Sequence, residues 1–149
     1  MKILVSACLL GIACRYDGNA KRNTALTEIL QGHEIVPFCP EIYGGLPTPR
    51  EPAEIRGSAV LTRSGRDVTA EYQKGADEAV KIAQTLGCDC AVLQDRSPSC
   101  GVGKIHNGAF DGGIIDGNGI TVRALQSANI PTYSASEIVK IGIVPRKIV

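Results

Sequence analysis

The sequence predicts an α/β fold: a single domain over residues 1–149 with a mostly parallel sheet, helices on both faces and a small β-hairpin. Three observations predict it. Short apolar runs rich in Val and Ile alternate with segments of helical period, the pattern of parallel strands joined by crossover helices. The apolar runs end in loops containing Gly and Pro. The length suits one domain with its own core.

The elements follow in order. "KILVSA" is the first strand, and the Gly-containing loop 8–23 comes after it. "TALTEILQ" is a short amphipathic helix ending at Gly32, and "HEIVPFC" is the second strand. "PEIYGGLPTPREPAE", with four prolines and two glycines, is a stiff ordered loop of the length that tends to carry function. "GSAVLTRSGRDVT" reads as the hairpin, turning at Ser64–Gly65. From Val68 to Leu86 the apolar positions Val68, Tyr72, Ala76, Ala79, Val80, Ala83 and Leu86 recur every three or four residues. They form the stripe of a core-facing helix. Asp67 is placed to cap that helix and Gly87 to stop it. "CDCAVLQ" is the third strand, "GITVRALQSAN" a helix and "IPTYS" a short strand. Ser134 and Glu137 make a capping box for a last helix in "ASEIVKIG". The expected layering is Rossmann-like or flavodoxin-like, without internal repeats or linkers.

Composition narrows the function classes. The formal net charge is +1, so no bulk field favours nucleic acid or an acidic partner. Aromatics make up 4% and Trp is absent, which disfavours a base-stacking platform. "MKILVSACLL" is too short an apolar run for a secretory leader. No stretch reaches the roughly 20 apolar residues of a membrane span. A cytoplasmic location is the expectation. Six cysteines in such a chain point to metal binding or redox chemistry, or to small core residues.

In open parallel sheets, ligands bind beyond the carboxyl ends of the strands. Cys8 ends the first strand, Cys39 ends the second, and Cys100 lies in the loop after the third. Parallel strands would therefore bring all three thiols to one edge. Three converging thiolates suit zinc or an iron–sulfur cluster. A structural zinc site needs a fourth ligand, for which Cys14 and His106 are the candidates. Buried structural thiols are the plain alternative. No C-x-x-C pair occurs, so the ferredoxin and zinc-ribbon spacings are missing. Cys88 and Cys90 alternate along a predicted strand and face opposite sides, which favours packing over a shared metal.

Three longer segments carry a resemblance. "SACLLGIACRYDG", "CPEIYGGLPTPRE" and "RSPSCG" resemble, in order and separation, the signature segments of a family whose characterised members are [4Fe-4S]-dependent 2-thiouracil desulfurases. The resemblance runs from Met1 to about Ser136. It implies a [4Fe-4S] cluster on Cys8, Cys39 and Cys100, with one iron open to substrate. It also implies two catalytic side chains beside that iron, Glu41 in the "CPE" turn and Ser97 in "SPSCG". The reaction implied is non-redox desulfuration of a thiolated pyrimidine, 2-thiouracil to uracil, with sulfur leaving onto the open iron. The implied partner is a small thiolated base or nucleoside rather than nucleic acid or membrane. A sulfur acceptor and the oligomeric state are left open. The chain departs from the family pattern at Gln94, at His106-Asn107-Gly108 and at Glu51. These positions bear on substrate identity more than on the cluster.

Each of these residues has a structural reading as well. Glu41 could be a helix N-terminal acid after Pro40, and Ser97 could cap the turn before Pro98. Cys14 reads best as a packed thiol beside the site. Arg15, Asp17 and Arg50 could bind substrate or make loop salt bridges. His33 ends a helix or begins a strand, and His106 is a weak candidate for substrate contact. Two rivals to the enzyme remain. One is a non-catalytic zinc or cluster-binding sensor. The other is a thiol–disulfide protein using Cys8 and Cys14, which the missing C-x-x-C disfavours.

Overall fold

The structure, a computed structural model, describes residues 1–146. In chain order the elements are β1 (Lys2–Ser6), a 3-10 turn (Ala7–Leu10), α1 (Thr24–Ile29), β2 (Glu34–Phe38), α2 (Pro40–Tyr43), β3 (Ala53–Arg56) and β4 (Ala59–Thr62). Then come α3 (Thr69–Leu86), β5 (Cys90–Leu93), β6 (Lys104–His106), β7 (Ile114–Asp116), α4 (Ile120–Ser127), β8 (Thr132–Ser134) and α5 (Ala135–Ile141). Strands β1, β2, β5 and β8 form one sheet in the order β2-β1-β5-β8, and every pair in it is parallel. Pro37 is accommodated because β2 is an edge strand, where one row of N–H groups bonds nothing in the sheet.

Alternation along the strands sorts the core onto two faces. Ile3, Val5, Cys90 and Val92 point to one side and pack with Leu26, Leu30 and Ile138, from α1, its end and α5. Leu4, Phe38, Ala91 and Leu93 point to the other and pack with Ala79, Ala83, Val122 and Leu125 from α3 and α4. Helices thus cover both faces, as the alternating pattern requires. A third cluster, including Leu46, Ile55, Val60 and Tyr72, fills the space beneath the β3–β4 hairpin.

Several local expectations need correction. The paired hairpin is β3–β4, so its turn falls at residues 57–58 rather than 64–65. The Ser64–Gly65 turn exists but closes only one isolated bridge, Leu61 to Asp67. The Val68–Leu86 stripe forms α3, yet Leu86, the last residue of the helix, is 45% exposed. Val68 occupies the N-cap position, and Asp67 contributes by accepting the Thr69 N–H at 2.9 Å. Cys88 is not in a strand. Its N–H bonds the Ala83 carbonyl in the helix-ending turn, although its side chain does pack on the face opposite Cys90. Strand β6 lies inside the stretch after the third strand that reads as loop, and its partner β7 lies just past that stretch, where no element is expected. Both strands have three residues and β7 is wholly exposed, so no alternation marks the hairpin.

One close approach positions the site. A Cβ at Gly75 of α3 would stand 1.9 Å from the Pro40 carbonyl oxygen, and one at Gly44 would stand 2.1 Å from that of Glu71. Two glycines therefore let α2 lie directly on the backbone of α3.

Candidate functional site

Parallel registry aligns the strand ends. Ser6 stands opposite Phe38, so the chain leaves β1 and β2 at the same edge, and the loop after β5 leaves beside them. Cys8 sits in the 3-10 turn directly after β1. Cys39 is the N-cap residue of α2, with Pro40 opening the helix. Cys100 closes the 97–100 turn, where its N–H donates to Ser97 Oγ at 2.7 Å. All three line one cavity of about 310 Å³, together with Cys14, Glu41 and Ser97.

All six cysteines are free thiols. Burial pushes the Cys100 thiol up to about 12, against the opposing pull of the Ser6 and Ser99 hydroxyls. Cys39 is raised by hydrogen bonding with Cys14 and then by burial. Cys14 is raised overall: its bond with Cys39 pulls it down, but its bond with Cys8 and burial outweigh that. Cys14 is only 8% exposed, in the core cluster that also holds Cys8, and its backbone carbonyl lies 3.8 Å from Cys39 Sγ. Buried neutral thiols become thiolates when a metal group replaces their protons. The all-sulfur donor set is of the soft type that iron–sulfur clusters take. Among the described residues, no three His, Cys, Asp or Glu side chains are set to hold a single metal ion.

Glu41 is the hub of the polar side of the cavity. Its Oε1 accepts Arg50 Nε at 3.0 Å and Tyr72 Oη at 2.9 Å, and its Oε2 accepts Ser99 Oγ at 2.8 Å. Arg50 also donates to the Cys14 carbonyl at 2.9 Å, to the Pro47 carbonyl and to Thr48 Oγ1. One buried guanidinium thus ties the loop after β1 to the loop after β2. Burial and the adjacent Glu41 push the Tyr72 phenol up, so it donates to the carboxylate. Ser99 Oγ lies 3.6 Å from Cys100 Sγ and 3.3 Å from Ser97 Oγ.

Cys8, Cys39, Cys100, Glu41 and Ser97 therefore meet in one place. Arg50 resolves as a buried partner of Glu41. Arg15 lines the cavity with its guanidinium 5.7 Å from the Tyr16 ring. Asp17 is a turn residue, kept below the usual carboxylate range by the Asn19 N–H. His33 lies at the opposite end of the sheet, with Nδ1 3.1 Å from the Met1 amine. His106 lines the cavity from β6, and its Nδ1 is buried without a partner. Gln94 also lines the cavity, and its N–H donates to Ser6 Oγ at 2.9 Å.

Sequence reasoning missed Tyr72 and Ser99. Tyr72 occupies a core position of the α3 stripe, and periodicity is blind to where a hydroxyl points. Ser99 stood between two residues already singled out. Its 1% exposure is the signal that only the fold supplies.

A solved structure of a [4Fe-4S]-dependent thiouracil desulfidase, TudS, superposes with a TM-score of 0.86 at 44% identity, covering 93% of each chain. An uncharacterised protein of Bacillus subtilis, YbbK, is 39% identical over 146 residues, covering 91% of this chain and 97% of that one. The model of the 2-thiouracil desulfurase family matches residues 3–137, and the chain belongs to that family.

Proposed function

We propose that this protein is a [4Fe-4S]-dependent desulfidase that converts a thiolated pyrimidine of the 2-thiouracil type to its carbonyl form. The observation that carries the reading is the meeting of three thiols, a carboxylate and a hydroxyl on one cavity at the carboxyl edge of the sheet. Cys8, Cys39 and Cys100 would hold the cluster. When bound, the cluster supplies an open iron that acts as a Lewis acid on the thiocarbonyl sulfur. The net change is C=S plus water to C=O plus hydrogen sulfide, with no change in oxidation state.

The chain's own residues supply the proton chemistry. Glu41 acts as general base toward water or returns a proton to the ring. Ser97 orients the base and passes a proton. Its Oγ accepts the Cys100 N–H, which favours negative charge developing there. Arg50 and Tyr72 hold the Glu41 carboxylate in one orientation. The substrate is a small base or nucleoside, and residues 1–149 act as one domain in the cytoplasm. Among the described residues, no helix is long and apolar enough to cross a membrane.

The test is reconstitution without oxygen, followed by assay of iron, sulfide, zinc and thiouracil turnover. Iron and sulfide at cluster stoichiometry with turnover are expected, and Cys14→Ser should retain both. Stoichiometric zinc without iron would overturn the proposal in favour of a metal-sensing module. So would loss of all metal from Cys14→Ser.

A further inference from the structure

Glu41 and Ser97 face the same cavity, but the hydrogen bonds of Glu41 go to Arg50, Tyr72 and Ser99. Ser99 stands between them. Its Oγ is 2.8 Å from Glu41 Oε2 and 3.3 Å from Ser97 Oγ, and the residue is 1% exposed. A hydroxyl has one proton to give and two lone pairs with which to accept. The carboxylate is acceptor-only, so it takes the Ser99 proton. Ser99 Oγ is then free to accept from Ser97. The Cys100 N–H meets Ser97 Oγ from another direction, so Ser97 can still give its own proton to Ser99.

We propose that Ser99 is the proton-relay residue that couples Ser97 to Glu41 along the wall of the cavity that all three line. The proposal rests on the desulfidase reading. As a water oxygen bonds to the carbon that loses sulfur, Ser97 Oγ takes the water proton. The Ser97 proton passes to Ser99 Oγ, and the Ser99 proton passes to Glu41 Oε2. Three O–H bonds break, three form, and no electrons change hands. Bulk water has little part in this path, because Ser99 is buried and Glu41 is only 14% exposed.

A competing role is visible in the same geometry. Ser99 Oγ lies 3.6 Å from Cys100 Sγ and could instead donate to the sulfur and tune the cluster. The test separates the two in cluster-loaded protein by comparing wild type with Ser99→Ala, Ser97→Ala and the double variant. A relay predicts that Ser99→Ala lowers kcat about 100-fold, with KM, uracil affinity by calorimetry and cluster reduction potential unchanged. It also predicts that the double variant is no slower than the slower single, because residues acting as one unit are not additive. Wild-type kcat should fall along a curved line with deuterium fraction, and this curvature should vanish in Ser99→Ala. Ser99→Thr, which keeps the hydroxyl, should recover part of the rate. A shifted potential with unchanged curvature would assign Ser99 to the sulfur and overturn the relay, as would multiplicative losses in the double variant. If wild type turns over thiouracil and Ser99→Ala matches it, the relay fails alone. If loaded wild type turns over no thiolated pyrimidine, the desulfidase reading fails and the relay falls with it.

Discussion

The two ends of one four-strand sheet carry different chemistry. At the carboxyl end stand four thiols, and a carboxylate with three donors on it, around a shared cavity. At the amino end stand Lys2, Glu34, Asp89 and His33, also polar, with Cys88 nearby. There the contacts are exposed: Lys2 N–H to Asp89 at 2.8 Å, and Lys2 Nζ to Glu34 at 3.7 Å, with Glu34 79% exposed. Residue types overlap between the ends. What differs is burial, and burial decides whether a charge pair or a thiol has consequences.

That contrast can be broken by substitution. The largest effect is expected from Cys39→Ser, which should abolish cluster loading, while Cys90→Ala should keep it. Iron and sulfide per chain and the visible spectrum check this pair. Cys90 is the stringent control, because burial pushes its thiol up to about 11 as it pushes Cys100 up. If both variants load equally, thiol position has no bearing on the site.

The charge pairs come next. Arg50→Met leaves Glu41 buried without its cation and should lower stability by about 3 kcal/mol, read by denaturant unfolding. Gly75→Ala should cost about 1–3 kcal/mol by overpacking α2 on α3. It should also slow turnover, because α2 carries Glu41; stability and kcat measured together test both parts. The smallest effect belongs to the amino end. Glu34→Gln should change stability by less than about 0.5 kcal/mol, and a larger loss by thermal melting would erase the distinction between the ends.

Much of this was readable beforehand, for identifiable reasons. The strand–helix alternation and the α3 stripe were legible because burial on fixed faces imposes periods of two and 3.6. The β6–β7 hairpin was not, because three-residue strands with an exposed partner leave no period to read. The β3–β4 turn was misplaced because Gly57-Ser58 and Ser64-Gly65 carry equal turn chemistry. Pairing across residues 53–62 chose between them.

The sequence by itself determined which residue types stand at strand ends. With parallel strands, that was enough to bring Cys8, Cys39 and Cys100 to one edge. Tertiary structure alone decided how they are served. Tyr72 turns from a core position into a donor to Glu41 because α2 rests on α3 at Gly75. Arg50 becomes the tie between two loops because its guanidinium is buried between them. Ser99 joins Glu41 to Ser97 because a turn after β5 meets a helix after β2. Period and spacing record which face a residue takes along its own element. They carry no information on which hydroxyl from another element it will meet.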